Sequence, residues 1–334
     1  MVNIGIVGMG FMGTTHYQAA KGLKGGRVGA IVTRDPKKKR GDWSDVKGNL
    51  GTGGGQEDLT GVSVYDSLDE LLKDDSIDLV DICLPSAMHK DAVIQALEAG
   101  KDVLVEKPIA LTVEDADEMI ATAERTGRKL MVGHVLRFFP EFRYVKTRVE
   151  QGDYGPLTAL HLKRVIAERD WKTSDRARSN GGIVIDLLVH DADFAQFVAG
   201  MPKEVFATGV RNELGHIVYV AVQFVYPQGP TISVHCGGIA VESIPFEHAF
   251  DAYFEGATIS FNSSTGLRIY TPEGRSEAPE VGKVDNFTAQ LQYAVDTVAG
   301  KEDGSVLSPR SARNSLRLCH LVRESVAAGR PVAV

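Results

Sequence analysis

Residues 2–15 read VNIGIVGMGFMGTT: six residues of buried-strand character, glycines at positions 8, 10 and 13, and then a helix-forming segment. A strand that runs through GxGxxG into a helix constrains this chain more than any other feature, because each glycine answers a different steric demand. Gly8 permits a tight turn, Gly10 lets the backbone approach an anion such as a pyrophosphate, and Gly13 lets the helix pack closely on the strand. The free amides of the helix start, at Phe11 and Met12, supply the anion site. The alternation continues with RVGAIVTR, VSVY, IDLVDICLP, DVLVE and KLMVGHV as strands, interleaved with SLDELLKD, KDAVIQALEAG and TVEDADEMIATAERTG as helices. Such interleaving predicts an α/β fold whose N-terminal part, residues 1–136, is a doubly wound parallel sheet of the Rossmann dinucleotide-binding type.

Ligands of open α/β sheets lie outside the carboxyl ends of the strands. That rule gathers Gly8 to Gly13, Thr33 and Arg34, Pro85 to His89, and Glu106 to Pro108 around one crevice. The fourth of these ends explains an oddity. DVLVE is an apolar run that stops at Glu106, Lys107 and Pro108, and a charged pair there is costly unless it faces a cleft. Lys107 is therefore a candidate functional residue, and Pro108 is suited to fixing the chain direction, through a cis bond if one is present. A second glycine cluster, Gly53 to Gly55, precedes a strand and not a helix, which predicts a flexible surface loop without a catalytic role.

Composition narrows the partners. The 334 residues carry a formal net charge of −7, so no broad positive field invites a nucleic acid. No apolar stretch reaches membrane-spanning length and the N-terminus enters a strand at once, which predicts a cytoplasmic protein without a membrane partner. Cys83, Cys236 and Cys319 lie far apart, as free thiols and not as a disulfide framework or zinc knuckle.

The remainder, residues 137–334, reads as a second domain. TALHLKRVIAER, KEVFATGVRN, HIVYVAVQFVYP, PTISVHCGGIA, FEHAFDAYFE and GATISFNSS are long strands separated by short turns, which predicts a large, mostly antiparallel open sheet with helices to one side. Within GGIVIDLLVHDADFAQFVAG, Asp186 and His190 stand four apart and would share one helical face. A carboxylate and an imidazole on a shared face, with Lys107 elsewhere, form an acid/base constellation. Arg137 in GHVLRFFPEF, and Arg169 and Trp171 in AERDWKTSDRARSN, are candidate substrate contacts: a tryptophan face stacks on a sugar ring and arginines bind a carboxylate or phosphate. A linker salt bridge for Arg137 and a solvated loop for the other two are the competing readings.

The segments GIVGMGFMGTTH, LPSAMH, GKDVLVEKPIALT and GGIVIDLLVHDADF resemble the successive signatures of the Gfo/Idh/MocA oxidoreductases, named for glucose-fructose oxidoreductase and inositol dehydrogenase, and the tail from Ser308 resembles that family's closing helix. The resemblance implies an NAD(P)-dependent dehydrogenase or reductase that transfers a hydride between nicotinamide and a hydroxyl carbon of a sugar, inositol or related polyol, assembled as a homodimer or homotetramer. It implies that Lys107 binds and polarises the reacting oxygen and that Glu106, like Pro85 and His89, lies near the cofactor. Alcohol oxidation also needs a base for the hydroxyl proton, which assigns His190 as base with Asp186 orienting it. Two rival functions remain: redox-neutral elimination or glycoside cleavage through a transient keto-sugar with a retained cofactor, and a non-catalytic dinucleotide-sensing regulator. Metal catalysis through Asp186 and His190 lacks further ligands at suitable spacing. In VTRDP, Thr33 and Arg34 are suited to a 2′-phosphate, Asp35 would turn away, and the basic run Lys37 to Arg40 adds favourable potential, so the residues weakly favour NADP over NAD.

Overall fold

The structure is a computed structural model that describes residues 1–47, 54–167, 180–241, 243–244, 246–274, 276–278, 281–282 and 285–334. The chain divides into two compact units, one of residues 1–138 with 284–313 and one of residues 139–283 with 314–334. The first boundary falls within two residues of the expected one at 136, but the expectation of an uninterrupted second domain over 137–334 is corrected, since residues 284–313 return to the first unit.

In the first unit, β1 (Val2–Val7) leads into α1 (Phe11–Ala20), followed by β2 (Gly26–Val32), β3 (Ser63–Tyr65), α2 (Leu68–Leu71), β4 (Leu79–Ile82), α3 (His89–Glu98), β5 (Asp102–Glu106), α4 (Val113–Thr126) and β6 (Leu130–Gly133). The six strands pair in the order β3-β2-β1-β4-β5-β6, all parallel, so the order reverses between β1 and β4. That reversal is the topological switch point at which such sheets bind ligands. The strands are apolar runs and not alternations because helices cover both faces: Val103, Leu104 and Val105 are all 0% exposed. Side-chain caps start the helices where Ser67 accepts from the Glu70 amide and Thr112 from the Asp115 amide.

The second unit opens with α5 (Pro140–Gln151), which starts at a proline suited to the first helical turn and was not anticipated from the sequence. There follow β7 (Leu157–Ala167), α6 (Gly182–Asp186), α7 (Leu188–Ala199), β8 (Glu204–Arg211), β9 (Ile217–Val225), β10 (Thr231–Ala240), β11 (Glu247–Phe254), β12 (Thr258–Asn262), β13 (Gly266–Tyr270) and β14 (Ser276–Glu277). Then α8 (Asn286–Val298) packs in the first unit, where Thr288 Oγ1 donates to the Ala19 carbonyl of α1 at 3.1 Å, and α9 (Pro309–Ala328) leads to β15 (Val332–Ala333). The nine strands run β14-β13-β12-β11-β7-β10-β9-β8-β15, antiparallel except for the β7–β10 pair. One face carries the core, where Phe142 of α5, Phe194 of α7 and Phe250 of β11 meet edge to face at 4.8–5.0 Å. On the other face, among the described residues, Phe206, Val210, Ile239, Tyr253 and Tyr270 are each more than a third exposed.

Of the glycine-rich insertion, residues 48–53, with Gly53 of the cluster, lie outside the described residues, and the described part packs on the first unit. Trp43 is fully buried beside Tyr17 of α1, its indole donates to the Lys38 carbonyl, and Gly54 passes so close that a Cβ would lie 1.8 Å from the Trp43 carbonyl oxygen. Gly54 is required there by close approach, not by a phosphate.

Candidate active site

The three glycines behave as their spacing demands. Gly8 has φ +97°, and a Cβ there would lie 2.9 Å from the Cys83 carbonyl oxygen. A Cβ at Gly13 would fall 2.1 Å from the Gly8 oxygen, whereas nothing approaches within 4 Å of one at Gly10. Gly13 thus serves packing and Gly10 leaves its side open to a ligand. Phe11 and Met12 begin α1 with Gly10 as the capping residue, so the first amides of the helix have no intrahelical partner. Beside this turn lies a crevice of about 500 Å³, lined by Gly8 and Met9, by Thr33 and Arg34 at the end of β2, by Leu84 and Met88 after β4, and by Asp66. Lys38 spans the rim, its ammonium donating to the Met9 carbonyl at 2.7 Å.

Other members of the basic run are neutralised. Lys37 pairs with Asp45 and Lys39 with Asp66, so the run adds less positive potential than its sequence promised. Asp35 lies three residues past the end of β2, outside the strand's alternation, and its carboxylate accepts from the Lys37 amide at 2.8 Å. His89 is 1% exposed, with Nδ1 2.9 Å from the Pro108 carbonyl and Nε2 2.9 Å from the Leu84 carbonyl. Both carbonyls favour a protonated ring, but burial outweighs them and pushes its pKa down. Rather than presenting a ring nitrogen to a ligand, His89 ties the turn after β4 to the turn after β5; Pro85, four residues before His89, is exposed at that first turn.

The charged end of β5 separates into two roles. Glu106 is 5% exposed and turns inward, where its Oε1 lies 3.2 Å from His16 Nε2, while His16 Nδ1 lies 2.8 Å from Asp81 Oδ2 on β4. Burial alone would lower the His16 pKa, but the Asp81 charge, assisted by Cys83 and by hydrogen bonding, holds it well above its ordinary value. Burial would likewise raise Glu106, and His16 followed by Lys107 holds it below the ordinary carboxylate value. The His16 ring is thus buried between two carboxylates and joins α1 to the ends of β4 and β5. Lys107 itself is half-buried, at the cis Lys107–Pro108 bond that follows the strand. Among the described residues, His16, Asp81 and Cys83 also form the one group whose ligand atoms lie within 4.8 Å of one another. The 2.8 Å separation of Nδ1 and Oδ2 is a hydrogen bond, and burial, then Asp81, pushes the Cys83 thiol up to about 12, so the cluster reads as a hydrogen-bonded lock.

In the second unit, Asp186 and His190 do not share one continuous helix. Asp186 ends α6, the backbone breaks at Leu187 with φ −104° and ψ −52°, and His190 lies in the first turn of α7. This corrects the single-helix expectation. Eight apolar residues in the stretch from Ile183 to Val198 are 2% exposed or less or nearly so, which makes the segment apolar nearly all round and leaves its periodicity unable to register the break. Both residues are half-buried. The next residue, Asp191, is held by Arg164 of β7 through two bonds of 2.9 and 3.0 Å, both side chains buried, and this pair fixes the start of α7 on the sheet. Sequence reading missed Arg164 and Asp191, since strand alternation gives no sign that an inward-facing arginine has a partner.

Arg137, expected as a substrate contact, is 3% exposed and donates to the Val306 carbonyl at 2.8 Å and to Ser311 Oγ at 2.6 Å. These two bonds tie Arg137 to the 305–311 segment within the first unit. Arg169 and Trp171 lie outside the described residues.

A parallel sheet with an open glycine turn and a crevice at its switch point defines a dinucleotide-binding protein. Residues 2–134 match the oxidoreductase family with an NAD-binding Rossmann fold, and residues 142–260 match the GFO/IDH/MocA C-terminal domain. The chain belongs to the Gfo/Idh/MocA oxidoreductase family. It is 31% identical over 220 residues to the myo-inositol 2-dehydrogenase of Thermotoga maritima, covering 64% of this chain and 61% of that protein. It is 31% identical over 211 residues to the 2,7-anhydro-N-acetylneuraminate hydratase of Mediterraneibacter gnavus, covering 62% of this chain and 52% of that protein. These matches span between about half and two thirds of the relatives' lengths. An oxidoreductase of Agrobacterium radiobacter, solved with NAD+, L-tartaric acid and magnesium, has the same fold, with a TM-score of 0.82 and 21% identity over 99% of this chain and 98% of that one.

Proposed function

We propose that the protein is a nicotinamide-dependent dehydrogenase or reductase acting on a hydroxyl carbon of a sugar, inositol or related polyol. The observation that carries this reading is the construction of the first unit: a glycine turn open at Gly10, beside a crevice at the switch point, with Lys107 at the end of the next strand but one. The residues fit a dinucleotide, with the α1 amides and Gly8–Gly10 holding its diphosphate and Thr33 and Arg34 its adenosine ribose. When bound, the nicotinamide supplies the hydride acceptor or donor. The chain's own groups do the rest. Lys107 binds the reacting oxygen and stabilises developing negative charge on it. His190 takes the hydroxyl proton on an imidazole nitrogen, and Asp186 orients the ring or binds a neighbouring hydroxyl.

Arg34 beside Thr33, with Asp35 engaged in its own turn, supports NADP over NAD, although the pairing of Lys37 and Lys39 reduces the margin. The second reading, a redox-neutral elimination, is favoured by one observation, the similarity to a hydratase over 62% of this chain. A panel of polyols and sugars with each cofactor, followed by absorbance of reduced nicotinamide and by mass analysis, tests both. Net cofactor turnover is expected; products without it would select the elimination. Arg34→Asp should move the ratio of catalytic efficiencies toward NAD, and a wild type that prefers NAD with an unmoved ratio would remove the NADP assignment.

A further inference from the structure

A second cavity, of about 310 Å³, lies wholly within the second unit, between the first residues of α6 and the hairpin that joins β8 to β9. Its wall includes Gly182 and Val184 of α6, Arg211 and His216 of the hairpin, and Arg323 of α9. Among the described residues no carboxylate lines it, in a chain whose formal net charge is −7.

Arg323 is the informative residue. Its guanidinium donates to the Gly181 carbonyl, and burial lowers its pKa with Cys319 opposing, and among the described residues no acidic group pairs with it. Arg211 donates to the Gly215 carbonyl at 2.8 Å, and neither arginine forms an ion pair among the described residues. Removing a guanidinium from water without a counter-charge is unfavourable. Each arginine has five N–H donors in a fork suited to phosphate or carboxylate, and the bond to a single carbonyl leaves most of them for a ligand.

We propose that this cavity binds the anionic group of a small-molecule ligand, a phosphate or a carboxylate, through Arg323 and Arg211 with His216 at the rim. Gly182 lies four residues before Asp186, so the backbone at the cavity wall and the backbone of the residue that ends α6 are about 6 Å apart along the helix axis. That is about the span of one sugar ring. The inference deepens the proposed function and rests on it for the rest of the ligand: the substrate is a sugar or polyol that carries an acid group, a phosphorylated sugar or a sugar acid.

Binding tests it without reference to turnover. The full chain, saturated with nicotinamide cofactor so that the crevice of the first unit is filled, is titrated calorimetrically with inorganic phosphate, glucose 6-phosphate, glucuronate and glucose. The anionic probes should bind about tenfold or more tightly than glucose, and less tightly as salt is raised. Tighter binding of the phosphate-bearing probes assigns a phosphate, and tighter binding of glucuronate a carboxylate. Arg323→Met should abolish the discrimination while cofactor affinity stays unchanged. Arg211→Met, at an exposed hairpin position, should reduce it several-fold and keeps the test decisive if Arg323→Met does not fold. Equal binding of all four probes, or discrimination that survives in both variants, overturns the inference. So does an Arg323→Met protein of lowered melting temperature combined with a wild type that binds no anion, because a carboxylate of the chain itself then neutralises the guanidinium. If the anions bind as expected while no member of the polyol panel is oxidised or reduced, the proposed function fails and this site stands.

Discussion

The two sheets of this chain solve burial in different ways. In the first unit every strand is parallel and the central strands are covered on both faces, so its chemistry is confined to the strand ends, where Gly8, Thr33, Leu84 and Lys107 emerge. Among the described residues, the nine-stranded sheet of the second unit is covered on one face, and that face carries charge within it: Arg164 points inward from β7 to meet Asp191. A sheet covered on both faces admits polar groups where its strands stop or as tightly paired exceptions such as Asp81, whereas a one-faced sheet uses an internal ion pair to hold a helix and the residues that helix presents.

The largest expected effect comes from breaking that ion pair. Asp191→Ala leaves Arg164 buried and uncompensated, which should cost about 3–5 kcal/mol. Calorimetry should show the second unit melting earlier while cofactor affinity is retained; equal loss in both units would break the contrast. Next, His190→Ala and Lys107→Ala should each lower turnover about a hundredfold or more with cofactor affinity nearly unchanged. Undiminished turnover in either would remove that residue from the chemistry.

Two buried histidines sharpen the comparison through pH. The folded-state pKa of His16 is raised, by Asp81 against the opposing effect of burial, so its contribution is complete below the unfolded value of about 6.5 and is lost as pH rises through the folded value. His248 of β11 lies among Phe142, Phe246 and Phe261, and burial, then the nearby Arg164, lowers it to about 3. Its sign is opposite: stability is lost as pH falls from about 6.5 toward 3, by about 2 kcal/mol at pH 5. Denaturant midpoints of His16→Gln should therefore converge on wild type as pH rises, and those of His248→Leu should gain on wild type as pH falls. Parallel pH profiles for the two variants would refute the assignment of opposite charge states.

The smallest effect concerns the uncovered face of the second sheet. If it meets another copy of the chain in a dimer or tetramer, Phe206→Lys should weaken association by about 1–2 kcal/mol, read by light scattering across a dilution series. A wild type that is monomeric at micromolar concentration would leave the face without that role.

Much of this was legible before folding was considered. The order of strands and helices in the first unit follows from buried runs punctuated by glycine, and GxGxxG specifies a turn because its constraints are local: a positive φ at Gly8 and the 2.1 Å approach at Gly13 forbid other residues. Lys107 stood out for the same reason, as a charge at the end of an apolar run. The roles of His89 and Arg137 were not legible, because residue type and position are the same whether a ring nitrogen meets a ligand or a carbonyl, and whether a guanidinium meets a substrate or Ser311. Nor could the break at Leu187 be read, since it falls in a segment apolar nearly all round.

Local chemistry along the chain determined where backbones turn, where strands end and which residue types stand at those ends, because those properties depend on neighbours a few positions away. Tertiary structure decided which partner each charge received. Asp81 and Glu106 meet His16 from 65 and 90 positions along the chain, and Arg323 reaches the Gly181 carbonyl across 142. Partner choice at such separations is set by how sheets and helices pack, and no periodicity in the sequence encodes it.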